Sequence, residues 1–163
     1  MRAQEIHGEY RTMDGQMIVT GHVGDSTLQM KTNRLVIALN YETAELVIRI
    51  NPSTVKNVSD PATKDPFVNT NTQVLFEGKL SLDRVITQKH PPLDFDVEGY
   101  LFNDDQWTWI RGTGHLEHIH GDEYACVLNM EFEIAPGLLS IQWPGDDQVK
   151  VQIIQTILKP ENE

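Results

Sequence analysis

A single cysteine, Cys126, in 163 residues leaves no intrachain disulfide to be made. Basic residues are scarce as well: 13 Lys and Arg stand against 24 Asp and Glu, a net charge of −11. An acidic chain with no Lys/Arg cluster repels phosphate backbones at long range, so nucleic acid is not an expected partner. Long apolar runs are missing; none approaches the ~20 residues of a membrane-spanning helix, so no membrane span is expected. The opening stretch MRAQEIHGEYRTMDG lacks the apolar centre of a secretory signal. A cytoplasmic location is therefore expected, or a periplasmic one if a leader has been removed. No stretch keeps a helical period beyond two or three turns.

Catalytic signatures are equally thin. There is no Gly-x-Ser-x-Gly elbow and no glycine loop built to cradle phosphate. Carboxylates pair at Asp94/Asp96 and at Asp104/Asp105, but alternation puts Asp94 and Asp96 on the face opposite Leu93, Phe95 and Val97. That pattern reads as a solvated face rather than acid–base machinery. Cys126 falls mid-strand on an apolar side, where a thiol behaves as a small hydrophobe. An enzyme is not expected.

What the chain does have is period two. In DEYACVLNMEFEI, Tyr124, Cys126, Leu128, Met130, Phe132 and Ile134 share one side, and Ala125, Val127, Asn129, Glu131 and Glu133 share the other. Successive strand side chains point to opposite faces, so this is a strand with one apolar side. RLVIALNYETAELVIRI reads as two strands about a turn, with Asn51-Pro52-Ser53 ending the second. QVLFEGKLSL and LDFDVEGYLF are further strands, and Asn103-Asp104-Asp105 is a tight link into QWTWIRGTGHLEHI. VKVQIIQTILK carries apolar residues on both faces through Ile154 and Leu158, which leaves a strand or a short helix open, with strand preferred. Eight to ten short strands predict one all-β domain over 1–163, an antiparallel β-barrel with at most short helical turns in its loops. Its core is expected at about 30–158, with the N-terminal residues available as an added strand.

Three features compete for function. His118 and His120, in HLEHIH, share a strand face and are the candidate metal ligands of an alternative reading, a metal-dependent enzyme, although a zinc site needs one or two more. The plainer reading makes them the end of a hairpin. Trp107 and Trp109 share a face with Arg111, and two indoles there line a carbohydrate or lipid groove, meet a partner, or simply cover the barrel. The apolar strand faces are the strongest feature. An eight-stranded barrel is either just filled by side chains or holds a small ligand. The residues expected to face such a ligand are Phe95, Val97, Tyr124, Cys126, Leu128, Met130 and Phe132.

GTGHLEHIHGDEYACVLNMEFEI resembles the signature of the YceI-like, polyisoprenoid-binding family, through Gly114, Leu116, His120 and Gly121. HPPLDFDVEGYL is similar to that family's tyrosine-proline strand at Pro92, Phe95 and Gly99. LVIALNYETAELVIRINPSTV resembles its early strand pair, and VKVQIIQTIL its closing strand. The resemblance implies an extended, lipocalin-like barrel that holds an isoprenoid- or quinone-like lipid without catalysis. It implies no resident cofactor and no metal, and makes His120-Gly121 a hairpin element. The expected partner is an apolar small molecule, and a homodimer is compatible with this reading.

Overall fold

Alternating apolar and polar residues give strands, and closing the strands into a ring removes the exposed edges that invite aggregation. The computed structural model describes residues 9–40, 42–58, 73–82, 92–118, 126–141 and 148–160. Nine strands occur among them: β1 (Glu9–Val23), β2 (Ser26–Asn40), β3 (Glu45–Ile50), β4 (Lys56–Asn57), β5 (Val74–Leu80), β6 (Leu93–Asn103), β7 (Gln106–His118), β8 (Cys126–Ile134) and β9 (Val149–Pro160). Short 3-10 turns at Pro52–Thr54 and Pro136–Leu139 are the helical elements among the described residues. The sheet runs β1-β9-β8-β7-β6-β5-β3-β2, and β2 pairs back onto β1. The result is a closed, antiparallel, eight-stranded barrel. The short β4 takes β3's place beside the first half of β2, with Met30 opposite Asn57.

Turn chemistry fixes the hairpins. Asp104 and Asp105 both take positive φ (54° and 61°) between the paired Asn103 and Gln106. A two-residue turn of that kind matches the twist of its flanking strands and suits aspartate. At the β2–β3 turn, the Asn40 carboxamide oxygen accepts from the amides of Glu42 and Thr43, at 3.0 and 3.2 Å. Asn51 caps the first 3-10 turn by accepting from the Ser53 amide at 3.1 Å, and that turn ends β3's run.

The segment that the sequence left between strand and helix is β9, and its two-faced apolar pattern comes from a bulge. Val149, Val151 and Ile153 are buried, then the buried set shifts to Thr156 and Leu158. The register slips between Leu128 and Met130 of β8, and Gln155 takes φ 44°. One extra residue flips the inward set from odd to even positions. β1 and β2 change parity in the same way. Tyr10 and Thr12 give way to Gly15, Met17 and Val19 in β1, and Met30 and Thr32 to Leu35, Ile37 and Leu39 in β2.

Each bulge frees backbone groups that must find partners inside the protein. Three buried threonines supply them. Thr12 Oγ1 accepts from the Asp14 amide (3.3 Å), Thr32 Oγ1 from the Arg34 amide (3.1 Å), and Thr156 Oγ1 from the Gln16 amide (3.2 Å). The Asn129 carboxamide oxygen takes the Gln155 amide at 2.9 Å. These polar side chains belong to the bulges rather than to a ligand.

Candidate functional site

Inward positions from all eight strands of the ring form one continuous apolar core. Four of them on β5, β6 and β7 are glycines: Gly78, Gly99, Gly112 and Gly114. Phenylalanine rings cover three. A Cβ on Gly114 would stand 2.4 Å from the Phe95 ring, one on Gly78 2.5 Å from Phe76, and one on Gly112 2.7 Å from Phe132. Glycine thus lets each ring approach the wall more closely than a Cβ would allow. Phe76 and Phe132 meet edge to face with ring centres 5.6 Å apart.

Among the described residues the core contains a cavity of about 20 Å³. Met17, Ile48, Ile50, Phe76, Leu101, Ile110, Phe132, Ile134, Leu139, Val151 and Ile153 line it, an apolar set throughout. Leu139 comes from the second 3-10 turn. Asn103 pins that turn by donating from Nδ2 to the Leu138 carbonyl (3.0 Å) and to Ser140 Oγ (2.9 Å). The cavity therefore sits in the half of the barrel nearer the β6–β7 turn.

Of the residues expected to face a ligand, Phe95, Val97, Cys126, Leu128, Met130 and Phe132 are all buried. Phe132 borders the cavity. The other five do not line it, although Met130 stands opposite Ile153, and Val97 and Phe132 both stand opposite Gly112. Phe95, Cys126 and Leu128 lie further towards the other end, where Gly114 is opposite Phe95 and Leu116 opposite Leu128. Tyr124 lies outside the described residues. Sequence reading missed Met17, Ile48, Phe76 and Val151 as cavity neighbours; alternation marks them as inward but not at which height. Burial pushes the Cys126 thiol up to about 11, so it stays protonated and poorly nucleophilic at neutral pH.

The histidine segment divides. His118 ends β7 opposite Cys126, with its side chain outside the described residues, as is the whole of His120. His115 is placed on the outer face between two carboxylates. As an imidazolium it donates from Nδ1 to Asp94 Oδ1 at 2.7 Å and from Nε2 to Glu117 Oε1 at 2.9 Å. The Asp94 hydrogen bond, then that to Glu117, raises its pKa above the ordinary 6.5. Among the described residues no group of three or more His, Cys, Asp or Glu is arranged to hold a metal ion.

The sign of the His115 effect follows from linkage. A raised folded-state pKa stabilises the fold fully below the ordinary histidine value, and the contribution is lost as pH rises through the folded-state value. In an NMR titration the His115 ring is expected to titrate above 6.5, and Asp94→Asn to bring it back down. A wild-type titration at or below the ordinary value would show that the carboxylates do not hold the ring in solution.

On the same outer face, nearer the β6–β7 turn, four aromatic side chains cluster. Tyr100, Trp107 and Trp109 are 48%, 51% and 49% exposed, and Phe102 is half-buried. Tyr100 stands opposite Trp109, and Phe102 opposite Trp107.

The geometry defines a class: a closed antiparallel barrel whose interior is mainly apolar, with its buried threonines serving backbone bulges and Asn103 holding a 3-10 turn. Comparison with solved structures agrees on the fold. The chain is similar to a polyisoprenoid binding domain from Saccharophagus degradans implicated in plant cell wall breakdown, at 10% identity and a TM-score of 0.67, over 94% of this chain and 99% of that one. No family model and no curated protein sequence matches the chain. The fold is the one that the sequence resemblance to the YceI-like family implied. Among the described residues, no helix is long and apolar enough to cross a membrane.

Proposed function

We propose that the barrel binds an elongated apolar ligand, an isoprenoid- or quinone-like lipid, in its interior and carries it without catalysis. The observation that carries this reading is the wholly apolar lining of the cavity inside a closed ring of strands. Ligand sites of this kind are concave and mostly apolar, and the mouths and lumens of barrels are common places for them. The likeness in fold to a polyisoprenoid binding domain supports the same reading.

A cavity of about 20 Å³ is far smaller than the roughly 300–1,000 Å³ of a drug-sized site. On this reading the interior must open as the lipid enters. Met17 borders the cavity, and Met30 and Met130 are buried with it. Unbranched methionine side chains repack at low cost. Each Å² of ligand tail taken from water then contributes about 25 cal/mol.

Native mass spectrometry of freshly purified protein, followed by organic extraction, is expected to find a bound lipid. Stripped protein is expected to take up a long-chain isoprenoid alcohol and to gain thermal stability that grows with the logarithm of free ligand above its Kd. Recovery of empty protein alone, with no uptake of such alcohols, would overturn the proposal.

A further inference from the structure

The outer faces of β6 and β7 carry what a barrel exterior ordinarily lacks. Across the strands, Trp109, Tyr100 and Glu77 lie side by side, and next to them Trp107, Phe102 and Leu75. Single exposed aromatics need no explanation, but a contiguous group of this size marks a surface that meets something.

The arrangement of the rings narrows the partner. Tyr100 stands 74° from Trp109 at 4.8 Å and 89° from Trp107 at 6.2 Å, and Phe102 tilts 44° from Trp107 at 4.6 Å. Rings set at steep angles give no flat platform for the face of a sugar. They do leave π-faces open in several directions to a compact cation, and tryptophan is the best of the aromatic acceptors. The charges nearby agree. Asp104 and Asp105 are exposed at the turn, Glu77 is exposed beside Tyr100, and Glu98 lies two residues before it. Arg111 and Lys79, on the same face, both stand opposite Glu98, Arg111 at 3.5 Å from its carboxylate, and Arg49 lies across Leu75, which leaves Glu77, Asp104 and Asp105 as the acids nearest the rings. Within a chain of net charge −11, a second copy of the same patch would bring like charges together.

The geometry points to a docking surface for a basic segment of a protein partner, whose arginine or lysine side chains seat against Trp107, Tyr100 and Trp109 while Glu77, Asp104 and Asp105 supply the opposing charge. This surface lies outside the barrel and does not depend on what fills the interior.

The test uses the full chain with a capped hexa-arginine peptide, and hexa-citrulline as its uncharged counterpart. Binding is followed by tryptophan fluorescence and by the indole N–H signals. The arginine peptide is expected to bind, more weakly as salt rises, and to shift the Trp107 and Trp109 signals. The Trp107→Ala/Trp109→Ala double variant is expected to lose about tenfold in affinity. A Glu77→Gln/Asp105→Asn variant keeps all the aromatics and is expected to lose about threefold. Absence of binding would overturn the proposal, as would equal affinity for the citrulline peptide or an affinity unmoved by the tryptophan changes. Self-association abolished by the tryptophan changes would overturn it in favour of a second copy, and capture of cellohexaose in place of the peptide in favour of a glycan.

Discussion

Gly99→Ala is expected to lower the stability of the protein by about 3 kcal/mol, at the upper end of what over-packing costs. A Cβ at Gly99 would stand 2.2 Å from the Glu77 carbonyl oxygen and 2.3 Å from Gly78 Cα. Both are backbone atoms of the neighbouring β5, so no side chain can rotate away, and β5 and β6 must separate. For a chain of this length that corresponds to a fall in Tm of roughly 6–12 °C. Gly137→Ala is the matched control, because nothing lies within 4 Å of a Cβ there. It is expected to change stability by less than about 0.5 kcal/mol. Thermal unfolding of the two variants side by side measures the difference. Equal melting of both would mean that β5 and β6 do not approach as closely as described.

Phe132→Ala is expected to cost about 3–5 kcal/mol while creating a binding site. Its ring is buried, meets Phe76 edge to face at 5.6 Å, covers Gly112 and borders the cavity. Removing the ring joins its volume to space that already has only apolar neighbours. An apolar cavity of that sort stays dry and accepts small apolar guests such as benzene. Denaturant unfolding gives the loss, and the rise in Tm on adding benzene gives the gain. A loss below about 1 kcal/mol would place the ring outside the core, and a variant indifferent to benzene would mean that the wall collapses onto the vacancy. Under the proposed function this variant also needs less repacking to admit a lipid, so weaker folding and tighter binding are expected together.

The antiparallel barrel was legible wherever alternation runs unbroken. Cys126 to Ile134 alternates without a fault, and so do Leu93 to Asn103 and Leu35 to Leu39, and these are the stretches that read most plainly as strands. β1 did not announce itself, because its inward positions include Thr12, Gly15 and Gly21 and its parity breaks after Thr12. β9 looked two-faced for the same reason, with the extra residue at Ile154–Gln155 moving the pattern to the other face. The site was less legible than the wall. Period two says that Phe95 and Phe132 both face inward, but height along the barrel depends on register, which is a property of pairs of strands. Asp94 and His115 are 21 positions apart and become neighbours only through the β6–β7 pairing. Two of the phenylalanine rings resting on glycines were hidden likewise, since Phe132 meets Gly112 and Phe95 meets Gly114 across strand pairs, whereas Phe76 and Gly78 are two apart on β5.

The irregularities in β1, β2 and β9 have a bearing on where the chain tolerates insertion. They set the phase of each strand, so that even positions of β1 look inward before Thr12 and odd ones after it. Gaining or losing one residue at such a place would turn the apolar set beyond it towards solvent and bring its polar neighbours into the core. Each bulge is thus a place where the length of the chain is fixed to the single residue.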